Sequence, residues 1–104
     1  MSDLQQMLIE ELRKIDGLED RPSPVSGGVA LFYRGKEFAH FHNGNELDIR
    51  LTAKVIEAQG LSHPVDSIHH PDRSLKSPWI ELRFNSPRDF AKIQKLVTLA
   101  IAKL

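Results

Sequence analysis

The chain has 104 residues, of which 40% are hydrophobic and 27% charged, and its 14 basic and 14 acidic side chains give a formal net charge of zero. This length and balance fit one globular domain spanning residues 1–104 and exclude the composition typical of a disordered chain. The absence of cysteine excludes disulfides and thiolate metal sites, and no basic cluster is present for binding nucleic acid. The acidic, amphipathic start is neither a signal peptide nor a membrane span, so we expect a cytoplasmic protein.

The first segment of the chain, residues 2–16, is predicted to form an amphipathic helix. Its apolar residues recur at helical spacing: Leu4, Leu8, Leu12 and Ile15. Gly17 is positioned to end the helix. Residues 17–28 combine glycine, proline, serine and aspartate, which interrupt regular structure, so we expect a loop that leads into a sheet.

A three-stranded antiparallel meander is predicted next, from three β-rich runs: Val29–Tyr33, Glu37–His42 and Leu47–Leu51. Between the first two runs, Gly35 and Lys36 are expected to form a two-residue type II′ turn, because that turn favours glycine at its first central position. This turn would place Tyr33 opposite Phe38 on the neighbouring strand.

The turn between the second and third strands decides which side chains share a face of the sheet. A three-residue loop at residues 43–45 pairs His42 with Glu46 and His40 with Asp48, whereas a two-residue loop shifts the register by one. We favour the three-residue loop because it gathers apolar residues on one face: Ala30, Phe32, Ala39, Phe41, Leu47, Ile49 and Leu51. The opposite face then carries aromatic, imidazole and charged groups: Tyr33, Phe38, His40, His42, Glu46, Asp48, Arg50, Trp79, Glu81 and Arg83.

Two helices and one further strand complete the predicted fold. Thr52 is placed to cap a short helix that continues through Gln59, and residues 61–78 form a long connection without a clear period. Trp79–Phe84 alternates again as a fourth strand, and Ser86 caps the last helix. We therefore predict an α+β domain with a four-stranded antiparallel sheet, helices packed on one face and the element order α-β-β-β-α-β-α.

Two histidines of the second strand, His40 and His42, are expected on the same side of the sheet as Asp48 of the third strand. Two imidazole nitrogens and one carboxylate oxygen form a donor set for a divalent metal ion. The same groups suit proton transfer near neutral pH, with Asp48 orienting His40. They also suit a structural role as partly exposed cross-strand pairs. Further ligands are available in the long connection: His63, His69 and His70.

The string Glu37-Phe-Ala-His40-Phe-His42, followed by Asp48, resembles a motif of the luciferase-like domain family of bacterial, fungal and plant sequences. A later His-Pro segment and the Ser-x-Trp that ends at Trp79 extend the resemblance, which covers most of the chain. It implies a shared fold and a shared set of site residues: Glu37, His40, His42, Asp48, His70, Pro71, Ser77 and Trp79. The light-emitting oxidation in the family name is not part of this expectation.

The stretch between Pro71 and Trp79 is longer than the spacing typical of the family. At two positions of the family pattern, this chain therefore offers two residues that could correspond to the family residue. His69 is an alternative to His70, and Ser74 is an alternative to Ser77. For Trp79, packing under the long connection is an alternative to contact with a ligand, because large aromatic side chains are mostly buried.

These observations favour a module that binds a small molecule or a metal on its polar sheet face, through these residues: Glu37, His40, His42, Asp48, His70 and Trp79. The cofactor stays open, and one candidate is a divalent metal ion held by His40, His42 and Asp48. The alternative is a non-enzymatic interaction or homodimerisation domain that docks through the same face, using exposed aromatic residues such as Tyr33 and Phe38. We expect neither nucleic acid nor a membrane as a partner.

Overall fold

The computed structural model of the protein describes residues 3–23, 28–64, 73–74 and 76–104, and its centre is a meander of five antiparallel strands. The strands lie in sequence order across the sheet: β1 (Leu18–Pro22), β2 (Val29–Tyr33), β3 (Lys36–His42), β4 (Glu46–Arg50) and β5 (Trp79–Arg83). The helices within the described ranges are α1 (Asp3–Leu12), α2 (Ala53–Ala58) and α3 (Phe90–Ala102), and a 3₁₀ turn at Pro87–Asp89 precedes α3. The predicted α+β class and antiparallel sheet are confirmed. The predicted four-stranded sheet and its element order are wrong because they lack β1.

Strand β1 lies where the sequence predicts a loop. Only Leu18 among its five residues is buried, so the alternation that marks a half-buried strand is missing. Asp20 is instead bound by Arg13, whose guanidinium donates to both carboxylate oxygens at 2.7 and 2.9 Å and holds the pKa of Asp20 below its usual value. Pro22 ends this edge strand, a position where a residue without an N–H is tolerated.

The turn between β2 and β3 is formed by Arg34 and Gly35 rather than by Gly35 and Lys36. Both central residues have positive φ angles, 50° and 85°, as the type I′ turn requires, and the twist of this turn matches that of the flanking strands. Tyr33 therefore pairs with Lys36, and the predicted pairing of Tyr33 with Phe38 is wrong. The sequence does not indicate this turn, because Arg34 occupies its first central position and residues other than glycine rarely adopt a left-handed conformation.

A β-bulge in β3 inserts Phe38 between two cross-strand pairs. Leu31 pairs with Ala39, whereas Phe32 pairs with Glu37, so Phe38 is the extra residue on its strand. The side chain of Phe38 is fully buried in the core. Its predicted place on the polar face is therefore wrong.

The bulge reverses the predicted faces of β2, whereas the change of turn shifts the pairing by two residues and so keeps the faces unchanged. Leu31 lies in the core and Tyr33 packs against it, whereas Ala30 pairs with His40 and lies on the opposite face. Phe32 shares the face of Ala30, because side chains alternate along a strand. The faces of β4 and β5 follow the prediction.

The helices cover the apolar face of the sheet, and α1, α2 and α3 each add buried apolar residues to one core cluster. From the sheet, this cluster includes Leu31, Phe38, Ala39, Phe41, Leu47, Ile49, Ile80 and Leu82. None of the helices in the described part of the chain is long and apolar enough to cross a membrane.

The predicted starts of the last two helices are confirmed. Thr52 caps α2, since its hydroxyl oxygen accepts a hydrogen bond from the Val55 amide at 3.3 Å. Before α3, the Asp89 carboxylate accepts hydrogen bonds from the amides of Asn85 and Ser86 at 2.8 and 3.3 Å. These two hydrogen bonds hold the pKa of Asp89 below its usual value, the one from Asn85 having the larger effect.

Phe38→Ala is expected to lower the free energy of unfolding by about 3–5 kcal/mol, the usual cost of truncating a buried phenylalanine. Phe32→Ala is the matched control, because Phe32 is partly exposed on the other face, where the Arg21 guanidinium lies 5.0 Å from its ring centre. We expect this control to cost less than about 1.5 kcal/mol. Urea unfolding followed by circular dichroism measures both, and equal losses would contradict the burial of Phe38.

Candidate functional site

The register of β3 and β4 places two histidines opposite two carboxylates. His40 pairs with Asp48 and His42 pairs with Glu46, as the three-residue loop at residues 43–45 predicts. Because side chains alternate along each strand, these four groups share the sheet face opposite the core. We call this surface the histidine face, and its predicted register is confirmed.

Strand β5 extends the histidine face with further charged groups. Glu81 lies beside Asp48, and Arg83 lies beside Glu46. The three carboxylates are buried, since Glu46, Asp48 and Glu81 are only 6%, 1% and 3% exposed. Buried carboxylates are stable only when hydrogen-bonded or paired with a cation. For Glu81, one such partner is Arg83, whose Nη2 lies 3.3 Å from the Glu81 carboxylate.

Asp48 is bound by Arg73, a residue of the long connection between α2 and β5. The Arg73 guanidinium donates hydrogen bonds to both oxygens of Asp48, at 2.5 and 2.9 Å, and the Arg73 side chain is itself largely buried. His40 Nε2 lies 3.4 Å from Asp48 Oδ2. A carboxylate has about four lone-pair directions, so Asp48 keeps acceptor positions beyond those that Arg73 uses.

Aromatic contacts orient the two imidazoles of the histidine face. The ring centres of His40 and His42 are 4.8 Å apart, and the rings are nearly perpendicular at 87°. The ring centre of Trp79 lies 5.4 Å from that of His40. The Trp79 amide donates a hydrogen bond to Ser77 Oγ at 3.1 Å, which fixes the start of β5. Trp79 therefore borders the histidine pair.

The side chains of His40, His42 and Asp48 form a candidate metal centre. One ligand atom from each residue can be chosen so that all three lie within 4.8 Å of one another. In a tetrahedral zinc site with bonds of about 2.0–2.1 Å, neighbouring ligand atoms are about 3.4 Å apart. Small side-chain rotations would therefore bring the three donors onto one ion.

Other predicted site residues do not join this group in the described part of the chain. Glu37 pairs with Phe32 beyond the bulge, and its carboxylate accepts a hydrogen bond from Ser23 Oγ at 3.3 Å. His70 lies outside the described residues. His63 is described, and its buried Nε2 has no hydrogen-bond partner among the described residues, but it is not part of the metal-ligand group.

Arg73 is the site residue that the sequence analysis missed. It lies in a connection without hydrophobic periodicity, so no local pattern relates it to a strand face. The available signal was indirect. A carboxylate at position 48 flanked by apolar residues on a central strand requires a cationic or hydrogen-bonding partner once it is buried.

The histidine face carries fewer aromatic side chains for the predicted homodimer than the sequence indicates. Phe38 lies in the core and Tyr33 packs against it, so neither belongs to the histidine face. The aromatic side chains that remain there are Phe32 and Trp79, and both are partly buried. Dimerisation through this face stays a prediction.

A model of the luciferase domain family matches residues 35–100, from the start of β3 almost to the end of α3. This match covers more than half of the chain and contains the candidate metal ligands together with Arg73 and Trp79. The chain belongs to the luciferase domain family. The resemblance predicted from the sequence is thereby confirmed.

No match was found among curated proteins or solved structures. Helix α1 and strands β1 and β2 precede the part of the chain that matches the luciferase domain.

Asp48→Asn is expected to lower the free energy of unfolding by about 3–5 kcal/mol, because it leaves the buried Arg73 guanidinium without its counterion. Arg73→Met removes the other partner, and the double variant completes a thermodynamic cycle. We expect a coupling energy of about 1–3 kcal/mol from urea unfolding of the four proteins. Additive effects of the two substitutions would show that the ion pair does not link the connection to β4.

Proposed function

We propose that this luciferase domain binds a divalent metal ion through His40, His42 and Asp48. One observation carries the proposal: the candidate ligand atoms lie within 4.8 Å of one another. The three residues come from two paired strands, so the sheet already sets the distances between their backbones. Binding an ion then requires the ordering of three side chains and of no additional loop.

The donor set indicates which ions fit the site. Two imidazole nitrogens and one carboxylate oxygen suit Zn²⁺, Fe²⁺, Mn²⁺ or Ni²⁺, whereas Ca²⁺ and Mg²⁺ prefer oxygen ligands. Three protein ligands leave at least one coordination position for water or a small molecule. Trp79, with its ring centre 5.4 Å from that of His40, offers an aromatic surface to such a molecule.

Arg73 supports metal binding at Asp48 by orienting the carboxylate. Carboxylates that bind metals are commonly hydrogen-bonded by outer partners, which fix their rotamer. The two hydrogen bonds from Arg73, one to each oxygen, restrict rotation of the Asp48 carboxylate. The buried carboxylates of Glu46 and Glu81 on the same face offset the positive charge that Arg73 adds.

Trp79 is the only tryptophan in the chain, so its fluorescence reports on the proposed site. Adding Co²⁺ or Ni²⁺ to protein freed of metal with a chelator is expected to quench this fluorescence along a saturable curve. Zn²⁺ at about 100 times its Kd is expected to raise the free energy of unfolding by about 2.7 kcal/mol, because a ligand that binds only the native state stabilises it. Thermal and urea unfolding with and without Zn²⁺ measure the second effect.

His40→Ala and His42→Ala each remove one nitrogen ligand, so we expect both variants to lose the quenching and the stabilisation by Zn²⁺. His63→Ala is the matched control, because it removes a histidine that is not part of the metal-ligand group. This control is expected to keep both responses. The proposal would be wrong if wild-type protein showed no saturable response, or if His63→Ala lost it as completely as His40→Ala.

A further inference from the structure

Glu46 is a buried carboxylate on the histidine face, and one of its oxygens has no hydrogen-bond partner among the described residues. The residue is 6% exposed, and the oxygen concerned is Oε2. The two other buried carboxylates of the histidine face have guanidinium partners, Arg73 on Asp48 and Arg83 on Glu81. Burying an anionic oxygen without a donor or a cation is unfavourable. A cation held against Glu46 would remove this cost.

The sheet places Glu46 next to the proposed metal ligands. The pairs His40–Asp48 and His42–Glu46 are successive on one face, so the four residues occupy the corners of a rectangle. Its sides measure about 6.8 Å along the strands and about 4.8 Å between them. An ion above the centre of this rectangle is equally placed for all four side chains. The glutamate side chain is one methylene longer than that of Asp48, which extends its reach.

We infer that Glu46 supplies a fourth protein ligand to the metal ion, which makes the site one of two imidazoles and two carboxylates. This inference rests on the proposed metal site and adds to it a residue outside the closely spaced group of three. Two nitrogen and two oxygen ligands favour ions such as Zn²⁺, Co²⁺, Fe²⁺ and Mn²⁺ and disfavour Cu⁺, which prefers sulfur. An ion of higher coordination number keeps positions open for water or a small molecule.

The test compares Glu46→Gln with Glu81→Gln. Both substitutions remove one buried negative charge from the histidine face and keep the shape of the side chain. Competition with a chromogenic chelator measures the Zn²⁺ affinity of each variant. We expect Glu46→Gln to weaken binding by more than about 10-fold, since even outer partners of metal ligands contribute about 10- to 100-fold. Glu81→Gln removes a buried charge but no ligand, so it is expected to weaken binding less than Glu46→Gln does.

A second measurement separates loss of a ligand from loss of folding. Without metal, Glu46→Gln is expected to unfold at the same temperature as wild type or higher, because the substitution removes the negative charge from a carboxylate whose buried Oε2 has no hydrogen-bond partner among the described residues. With Co²⁺ bound, the visible absorption spectrum of Glu46→Gln is expected to differ from that of wild type, because this spectrum depends on the ligand set. The spectrum of Glu81→Gln is expected to stay unchanged.

Each outcome bears on one of the two proposals. If wild-type protein binds Zn²⁺ in a His40-dependent manner but Glu46→Gln binds it equally well, Glu46 is not a ligand and the three-residue site stands. Equal weakening by Glu46→Gln and Glu81→Gln would show an effect of charge alone and would overturn the assignment. If wild-type protein binds no metal, the proposed function fails, and the role of Glu46 fails with it.

Discussion

Burial of the apolar sheet face sets the register of β3 and β4, and the whole histidine face depends on that register. Ala39 and Phe41 must face the helices together with Leu47 and Ile49, so the residues between them must face the other way. A slip of one residue would place His40 opposite Leu47. The proposed metal site is therefore a consequence of packing on the opposite side of the sheet, and no dedicated loop is needed to assemble it.

Where local pattern and tertiary packing agree, the sequence predicts the fold well. The β3–β4 loop, strand β5 and the caps of α2 and α3 follow from alternation and from capping residues. The errors have physical causes that a single sequence does not display. Strand β1 buries only Leu18, and Arg34 adopts a left-handed turn conformation. The bulge at Phe38 shifts the register within a run that otherwise looks regular.

The sequence predicts where the two histidines of the candidate site lie, but it does not predict the ion pair with Arg73 or the burial of Glu46. His40, His42 and Asp48 could be placed together because all three lie on strands with a clear period. Arg73 could not, because its position depends on how the long connection crosses the sheet. The burial of Glu46 likewise depends on packing across several strands. A glutamate in a sequence normally indicates an exposed position, so its burial could not be predicted. Glu37, which the family resemblance marks, contacts Ser23 instead.

We propose above all that two imidazoles from one strand bind a divalent ion. X-ray absorption spectroscopy of the Zn²⁺-loaded protein tests it most directly, because the outer-shell scattering of imidazole rings can be counted. We predict bonds of about 2.0–2.1 Å and a scattering pattern that fits two imidazoles, with oxygen ligands completing the shell. A shell composed only of oxygen atoms, or a fit that requires no imidazole, would contradict the account.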